Sequence, residues 1–331
     1  MKRKVYEQLL EWKSQEHHKP LILNGVRQCG KTYVLKEFGR QEFDSLAYVS
    51  CDRNVNLQAI YSGDFDVARI IQGLSALTGV DIIPGKTLIF LDEVQAFPQA
   101  LEALKYFCED APEYHIVVAG SLLGVALHAG VSFPVGKVQT LRLFPMDFEE
   151  FLMAMGEEQL LKLMHSHDYE LMNAFHEKLK DLLRQYYYVG GMPEVVKAFA
   201  ENKLLNQVRS LQNEILSNYA SDFSKHAPSQ EVPRIDMVWQ SILGQLSKEN
   251  KKFVYGVLKK GGRAKEFELA IQWLVDAGLV YKITKVSKPE LPLKFYEDLS
   301  AFKLYLCDCG LMGAMADRKS TRLNSSHAFL S

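Results

Sequence analysis

The sequence predicts an α/β fold in which helices cover both faces of a parallel β-sheet. Apolar runs of strand length recur early in the chain, at residues 20–23, 46–49, 87–91 and 115–119. Helical patterns lie before and between these runs, at residues 3–16, 31–38, 67–77 and 99–108. Short apolar strands that alternate with helices are typical of βαβ units, in which successive strands lie parallel.

The composition is that of an ordinary globular protein. The chain has 331 residues, of which 47% are hydrophobic and 24% charged, and this length predicts about two domains. Because 39 basic residues are balanced by 40 acidic ones, a globally basic nucleic-acid coat protein is excluded. A local basic module is not excluded.

Cysteine content and the apolar runs predict a soluble, cytoplasmic protein. The five cysteines are odd in number and sparse for this length, which favours reduced thiols over a disulfide framework. The basic start of the chain lacks the apolar stretch of a signal peptide. The longest uncharged run, residues 116–136, is interrupted by four glycines and a proline, so we do not expect it to span a membrane.

The pattern changes after Pro145. Residues 147–225 are helical in pattern almost throughout, and a stretch rich in Pro, Ser and Lys at 224–233 is typical of a linker. Beyond it the sequence predicts three helices and then a strand, at residues 235–248, 251–259, 265–277 and 279–283.

One motif indicates phosphate binding. Residues 25–32 match G-x-x-x-x-G-K-[ST] between an expected strand and an expected helix. Glycines let the backbone fold around an anion, so that N–H groups and the helix N-terminus face a phosphate. Lys31 is expected to bridge the β- and γ-phosphates, and the Thr32 hydroxyl to ligate Mg²⁺. The expected nucleotide-binding residues are Gly25, Val26, Arg27, Gln28, Cys29, Gly30, Lys31 and Thr32.

The apolar run at 87–91 ends in two carboxylates, Asp92 and Glu93. We expect Asp92 to hold the hydration shell of Mg²⁺ and Glu93 to act as the general base for the attacking water. The alternative is a solvated pair of acidic residues at a strand end. Asp92 lies 60 residues after Thr32, and one expected strand lies between them. This spacing supports the interpretation that both residues belong to one nucleotide-binding site.

The fourth expected strand, at 115–119, is followed by Gly120 and Ser121. A small polar residue at this point can sense the γ-phosphate or position the attacking water, and we assign this catalytic role to Ser121. The alternative is that Ser121 caps the helix that follows. The sequence favours neither interpretation over the other.

Several short blocks, taken in order, resemble one known family. They lie at residues 24–32, 90–95, 119–124, 133–138, 143–151, 190–194 and 219–226. The series resembles the prokaryotic AAA+-superfamily P-loop ATPases that carry a winged-helix segment after the ATPase core. A restriction-endonuclease-like domain of unknown role ends those proteins. The resemblance extends over residues 3–315 and implies ATP and Mg²⁺ as cofactors, with Lys31, Thr32, Asp92 and Glu93 in the usual roles.

The resemblance also implies a division of the chain. We expect a P-loop NTPase sheet sandwiched by helices, followed by a helical lid, a winged helix and the start of a nuclease-like domain. The expected bounds are 1–150, 151–228, 229–290 and 291–316. Cys29 stands where the family has a small or apolar residue, so we interpret it as a packing residue. No motif places an arginine finger; Arg142 is our first candidate, and a surface arginine without a role is the alternative.

The region before the expected nuclease-like segment is locally basic. Residues 248–294 contain 11 Lys or Arg and 5 Asp or Glu. Arg263 and Lys265 lie near the start of an expected recognition helix, where they would meet the phosphates or base edges of DNA. The alternative is a protein-docking or lid module with a solvated basic face.

The last 15 residues do not continue the preceding pattern. Residues 317–327 resemble the translation of a common sequencing-library adapter, and we interpret 317–331 as an artefact on a protein cut short. Leu304, Leu306, Leu311 and Met312 would then lack packing partners, and we expect a frayed C-terminus.

These observations favour a cytoplasmic Mg²⁺-dependent ATPase that repositions a helical lid and a winged helix. Its further partners would be DNA, a protein, or other copies of the chain. The alternative is a signalling switch that binds nucleotide tightly, hydrolyses it slowly and docks a protein partner. A GTP-specific enzyme is a third possibility, but no guanine-reading Asn-Lys-x-Asp occurs in the sequence.

Overall fold

The computed structural model describes residues 1–63, 65–121, 123–128, 134–248 and 252–323. The chain divides into two compact units. We call residues 2–144 the core unit and the chain from Pro145 onward the C-terminal unit.

The core unit is built on a five-stranded sheet in which every strand pair is parallel. Its strands are β1 (Leu21–Gly25), β2 (Ser45–Ser50), β3 (Thr87–Asp92), β4 (His115–Gly120) and β5 (Gln139–Leu143). Their order across the sheet is β2-β3-β4-β1-β5. The α/β fold with a parallel sheet, predicted from the alternation of apolar runs and helices, is confirmed.

The edge strand β5 was not predicted. Its sequence alternates polar and apolar residues, and only Leu143 at its end is fully buried. A strand that is buried on one side only lacks the continuous apolar run that marks β3 and β4. The signal that could have found it is the period-2 alternation of Gln139, Thr140, Leu141, Arg142 and Leu143.

Helices flank the sheet. They are α1 (Val5–Ser14), α2 (Lys31–Glu42), α3 (Leu57–Ile60), α4 (Val67–Thr78), α5 (Pro98–Asp110) and α6 (Leu123–His128). All six residues of β3 and of β4 are buried, which a parallel sheet requires of its central strands. Because the strands are parallel, the carboxyl ends of β1, β3 and β4 lie along one edge of the sheet, and ligands of open α/β sheets bind at that edge.

The C-terminal unit starts with a run of helices, as the sequence predicts for residues 147–225. They are α7 (Phe148–Ala154), α8 (Glu158–Ser166), α9 (Tyr169–Ala174), α10 (His176–Val189), α11 (Pro193–Asn202) and α12 (Leu205–His226). Asp147 caps α7 in a reciprocal capping box with Glu150, which explains the sharp start of this helix.

Two further helices and a hairpin follow. They are α13 (Val232–Leu246), α14 (Ala264–Asp276), β6 (Val280–Val286) and β7 (Glu297–Leu306). The strands β6 and β7 pair antiparallel. The prediction of a helix at 251–259 is wrong for the described residues, because only a short 3₁₀ turn forms there, at Tyr255–Val257. Gly256 within this turn and Gly261-Gly262 after it disfavour a longer helix.

The expected frayed C-terminus is also wrong for the described residues. Leu304, Leu306 and Leu311 are buried. Strand β7 is paired with β6, and helix α15 (Cys309–Leu323) packs against α10 and α12, so these apolar side chains do have partners. Met312 is half-buried. Residues 324–331, the end of the segment interpreted as an artefact, lie outside the described residues.

Among the residues that the structure describes, no helix has both the length and the apolar character needed to cross a bilayer.

Candidate functional site

The phosphate-binding motif forms a loop between β1 and α2, as predicted. Gly30 precedes α2 with a φ of 94°, a conformation that glycine adopts without strain. Gln28, two residues earlier, has a φ of 67°, which is costly for a residue with a side chain. At Gly25 a Cβ atom would stand 2.3 Å from the carbonyl oxygen of Leu143 on the neighbouring strand. The motif glycines therefore meet local steric requirements of this loop.

Lys31 lies inside the loop. Its side chain is buried, and Nζ donates hydrogen bonds to the carbonyl oxygens of Gly25 at 2.8 Å and Val26 at 3.0 Å. A cation held at the centre of a loop of backbone groups is placed to meet an anion. The loop thus has the charge and the backbone geometry that a polyphosphate requires.

The two residues predicted to bind metal are in contact. The Thr32 hydroxyl donates a 2.7 Å hydrogen bond to Oδ2 of Asp92, which joins the start of α2 to the end of β3. Tyr48 also donates to Oδ2 at 3.3 Å, and the Glu93 amide donates to Oδ1 at 3.1 Å. Burial raises the pKa of the Asp92 carboxyl, and the hydrogen bond from Thr32 opposes this shift.

This pair fits Mg²⁺. A hydroxyl and a carboxylate are hard oxygen donors, and magnesium keeps several waters and phosphate oxygens as its other ligands. Within the described residues no group of three or more His, Cys, Asp or Glu could hold a metal ion by itself. A metal at Thr32 and Asp92 would therefore depend on a nucleotide for further ligands.

Glu93 has an unusual backbone conformation. Its φ is 51°, in the left-handed region, where a non-glycine residue costs about 1–3 kcal/mol. Its carboxylate oxygen Oε2 accepts a hydrogen bond from the side-chain amide of Gln95 and another from Ser121 Oγ at 3.4 Å. The structure thus brings Ser121, at the end of β4, together with the predicted general base. The alternative role of Ser121, as a helix cap, involves Leu122, which lies outside the described residues.

Two buried residues, Cys29 and Arg3, contact the backbone in and beside the loop at residues 25–32. The sequence analysis singled out only Cys29. Cys29 is fully buried, its thiol contacts the carbonyl oxygen of Leu143 at 3.6 Å, and burial raises its pKa. A protonated, buried thiol agrees with a packing role. Arg3 is also buried and donates to the carbonyl oxygens of Cys29 at 2.9 Å and Phe144 at 2.6 Å. Nothing in the local sequence marks Arg3, because both partners are far away in the chain.

The remaining expected residues lie at the periphery or in the C-terminal unit. Arg27 is exposed on the loop, and Val26 is buried beneath it. Arg142 is exposed on β5, where its guanidinium carbon lies 5.1 Å from the centre of the Phe144 ring. Arg263 and Lys265 are exposed at the start of α14.

Comparison with known families identifies two segments. Residues 17–152 match the profile of the AAA domain, and residues 180–322 match that of a domain of unknown function, DUF8612. A search of proteins with curated annotation found no match.

Of three similar solved structures, one has a TM-score above 0.5 and supports the fold. The Walker-type ATPase of Pyrococcus abyssi has a TM-score of 0.58 and 12% sequence identity, and 95% of each chain is covered. Drosophila ORC bound to DNA has a TM-score of 0.36 and 14% identity, covering 96% of this chain and 94% of that chain. Thermotoga maritima RuvB has a TM-score of 0.34 and 16% identity, covering 84% and 88%. The core unit has the α/β fold of P-loop ATPases of the AAA type.

Proposed function

We propose that this protein binds ATP with Mg²⁺ and hydrolyses it, and that the loop at residues 25–32 and the ends of β3 and β4 form the active site. One observation carries the proposal. The Thr32 hydroxyl and the Asp92 carboxylate are in hydrogen-bond contact beside a loop that contains a buried lysine. The parallel sheet brings these two motifs, 60 residues apart in sequence, to one edge, and together they supply the cation, the hydroxyl and the carboxylate that a metal-bound polyphosphate needs.

Each side chain has a distinct task in the proposed reaction. Lys31 would leave the carbonyls of Gly25 and Val26 to pair with the phosphates, and Thr32 and Asp92 would hold Mg²⁺. When bound, the metal would neutralise charge on the phosphates. Glu93 would accept a proton from the water that attacks the γ-phosphorus.

The first experiment separates binding from chemistry. We expect Lys31→Ala to weaken binding of Mg-ATP by about 100-fold, because loss of one partner of a buried charge pair costs about 2–5 kcal/mol. We expect Glu93→Gln to retain binding while kcat falls by about 100-fold or more, because removal of a general base costs this much. Glu113→Gln, at an exposed position on the core unit, is the matched control. Tight binding by Lys31→Ala, or full turnover by Glu93→Gln, would exclude the proposed site. GTP in place of ATP tests the base preference in the same assay.

Arg142 remains our candidate for an arginine finger acting on a neighbouring copy of the chain. It is exposed, and its register partner on β1 is Asn24, which directly precedes the phosphate-binding loop. If it has this role, Arg142→Ala will lower kcat without weakening Mg-ATP binding, and kcat of the unaltered protein will rise with protein concentration. A kcat that depends on neither Arg142 nor concentration would contradict this role.

The C-terminal unit is proposed to contain a winged helix that the ATPase cycle repositions. Helices α13 and α14, followed by the hairpin of β6 and β7, support this assignment. The helical segment 151–228 would be the lid. Because β7 pairs with β6, the proposed winged helix would extend from 229 to 306, and a further domain would start after β7 and not at 291.

The surface of this proposed winged helix favours a protein partner over DNA. Arg263 and Lys265 are followed on α14 by Glu266 and Glu268, so the cations there are balanced by carboxylates. The hairpin also exposes large apolar side chains, with Leu291 89% and Phe295 83% exposed. Contiguous exposed apolar groups are typical of protein contacts, and these two side chains are four residues apart in the segment between β6 and β7. This is the observation that supports the second candidate function, a nucleotide-dependent switch that docks a protein.

DNA binding measured at several salt concentrations distinguishes the two partners. Recognition of DNA through Arg263 and Lys265 predicts an affinity that falls steeply with salt and is lost on charge reversal at both residues. A weak affinity that is insensitive to this charge reversal would support the protein partner.

A further inference from the structure

Gln95 contacts the proposed general base directly. It lies in a 3₁₀ turn, Val94–Ala96, immediately after Glu93. Its amide nitrogen Nε2 donates to Oε2 of Glu93. Because a carboxylate can only accept hydrogen bonds, the amide must present its NH₂ group to Glu93. The orientation of Gln95 is therefore set by Glu93, and that of the Glu93 carboxylate by Gln95.

The amide is confined on its other side. The Oε1 atom of Gln95 is buried and has no hydrogen-bond partner among the described residues. A Cβ atom at Gly120 would stand 2.3 Å from this oxygen, so the end of β4 has room for the amide only because residue 120 is glycine. A buried acceptor without a donor costs about 1–3 kcal/mol. Packing thus holds Gln95 against Glu93 despite a lost hydrogen bond.

The hydrogen bonds to the Glu93 carboxylate engage only one of its two oxygens. Both described donors, the Gln95 amide and the Ser121 hydroxyl, bond to Oε2 of Glu93. The atom Oε1 of Glu93 is thereby the one left to accept a proton from water. A carboxylate with one oxygen held and the other available is oriented in the way a general base requires.

We propose that Gln95 is a positioning residue, which holds Oε2 of Glu93 so that Oε1 faces the attacking water. The proposal rests on the ATPase function proposed above. It does not require Gln95 to touch the nucleotide. Gln95 should therefore affect the rate of hydrolysis and leave nucleotide binding unchanged.

The test compares kcat and KM for ATP in the full chain. We expect Gln95→Ala to lower kcat by about 10- to 100-fold, the loss typical when a side chain that orients a metal ligand in the same indirect way is removed. KM and the dissociation constant for Mg-ATP should change by less than about 3-fold. Gln95→Glu has the same size but cannot donate unless protonated, and we expect at least the same loss of kcat. Gln99→Ala, on the following helix, is the matched control.

A double-mutant cycle shows whether Gln95 acts through Glu93. If it does, Gln95→Ala in a Glu93→Gln background should change the residual kcat by less than about 2-fold, because the group it orients is already gone. Additive losses, or an unchanged kcat in Gln95→Ala, would overturn the proposal. Thermal unfolding and Mg-ATP binding of each variant check that it is folded; if Gln95→Ala is not, Gln95→Glu replaces it in the cycle.

The result also distinguishes this inference from the proposed function. Suppose that the unaltered protein hydrolyses ATP and that Glu93→Gln does not. An unchanged kcat in Gln95→Ala then refutes only the role of Gln95. If the unaltered protein has no nucleotide hydrolysis, the proposed function fails before Gln95 is tested.

Discussion

The imidazole rings of His18 and His115 stack face to face, with their centroids 3.8 Å apart and an angle of 11° between the ring planes. Trp12 and Phe43 cover His115 edge-on at 5.4 Å and 5.2 Å. Both ring nitrogens of His115 are buried without a hydrogen-bond partner among the described residues. This pair lies at the amino end of β4, and the phosphate-binding loop follows the carboxyl end of β1.

The histidine pair predicts an acid-sensitive fold. Burial, and next the neighbouring His18, lower the pKa of His115 to about 4. In the unfolded chain it would titrate near 6.5, so between these values the unfolded state binds more protons than the folded one. The free energy of unfolding should therefore be highest above pH 6.5. It should fall by about 3 kcal/mol as the pH falls to 4, at 1.36 kcal/mol per pKa unit.

Urea unfolding at pH 7.5, 6.0, 5.0 and 4.0 measures this loss. We expect His115→Phe to flatten the dependence on pH, because it removes the buried titrating group. His17→Phe, at the exposed neighbouring position, is the control. An equal pH dependence in His115→Phe and the unaltered protein would show that other groups cause the acid sensitivity.

Arg3 is predicted to support nucleotide affinity from outside the site. Its guanidinium joins the carbonyl of Cys29, in the loop at residues 25–32, to that of Phe144, just after β5. Arg3→Ala leaves both carbonyls without this donor, and hydrogen bonds to charged groups contribute about 1.5–3 kcal/mol each. We expect the dissociation constant for Mg-ATP to rise by about 10-fold or more. Arg3→Lys should be intermediate, because an ammonium lacks the planar fork of guanidinium.

Calorimetric titration with Mg-ATP checks this prediction. Lys2→Ala, at an exposed neighbouring position, is the control. If Arg3→Ala lowers the thermal unfolding midpoint and leaves the dissociation constant unchanged, Arg3 stabilises the fold without shaping the loop.

Asp308 is predicted to be essential for the C-terminal unit. Its buried carboxylate accepts hydrogen bonds from the backbone amides of Gly191 and of Leu311 at 2.8 Å, so it links the loop after α10 to the start of α15. A Cβ atom at Gly190 would stand 2.3 Å from Oδ1 of Asp308, which explains the glycine there. We expect Asp308→Ala to lower the free energy of unfolding by about 2–3 kcal/mol, since two buried donors lose their acceptor.

Chemical denaturation followed by circular dichroism measures this change. Asp317→Ala on the same helix is the control, because Asp317 is mostly exposed and its ion pair with Arg209 should contribute less than about 1 kcal/mol. If both substitutions lower the free energy of unfolding by the same small amount, α15 contributes little to the stability of the C-terminal unit.

Local patterns were sufficient to place the candidate site in the fold. The motif at 25–32 and the carboxylates at 92–93 were placed correctly, because a strand, a tight loop and a helix start each have a local signature. The strand β5 was missed because one of its faces is exposed. The burial of the C-terminal segment was missed because it depends on distant partners, helices α10 and α12 and strand β6.

The sequence by itself determined the type of fold, the loop at 25–32 and the place of Asp92 and Glu93 after a buried strand, since all are encoded by neighbouring residues. Only the tertiary structure decided which side chains orient them. Ser121 and Asp92 meet their partners 28 and 60 residues away, and Arg3 meets a carbonyl 141 residues away. Even Gln95, a near neighbour of Glu93, fits beside it only because residue 120 on strand β4 is glycine. Contacts of this kind arise when strands pair side by side, and no local periodicity records them.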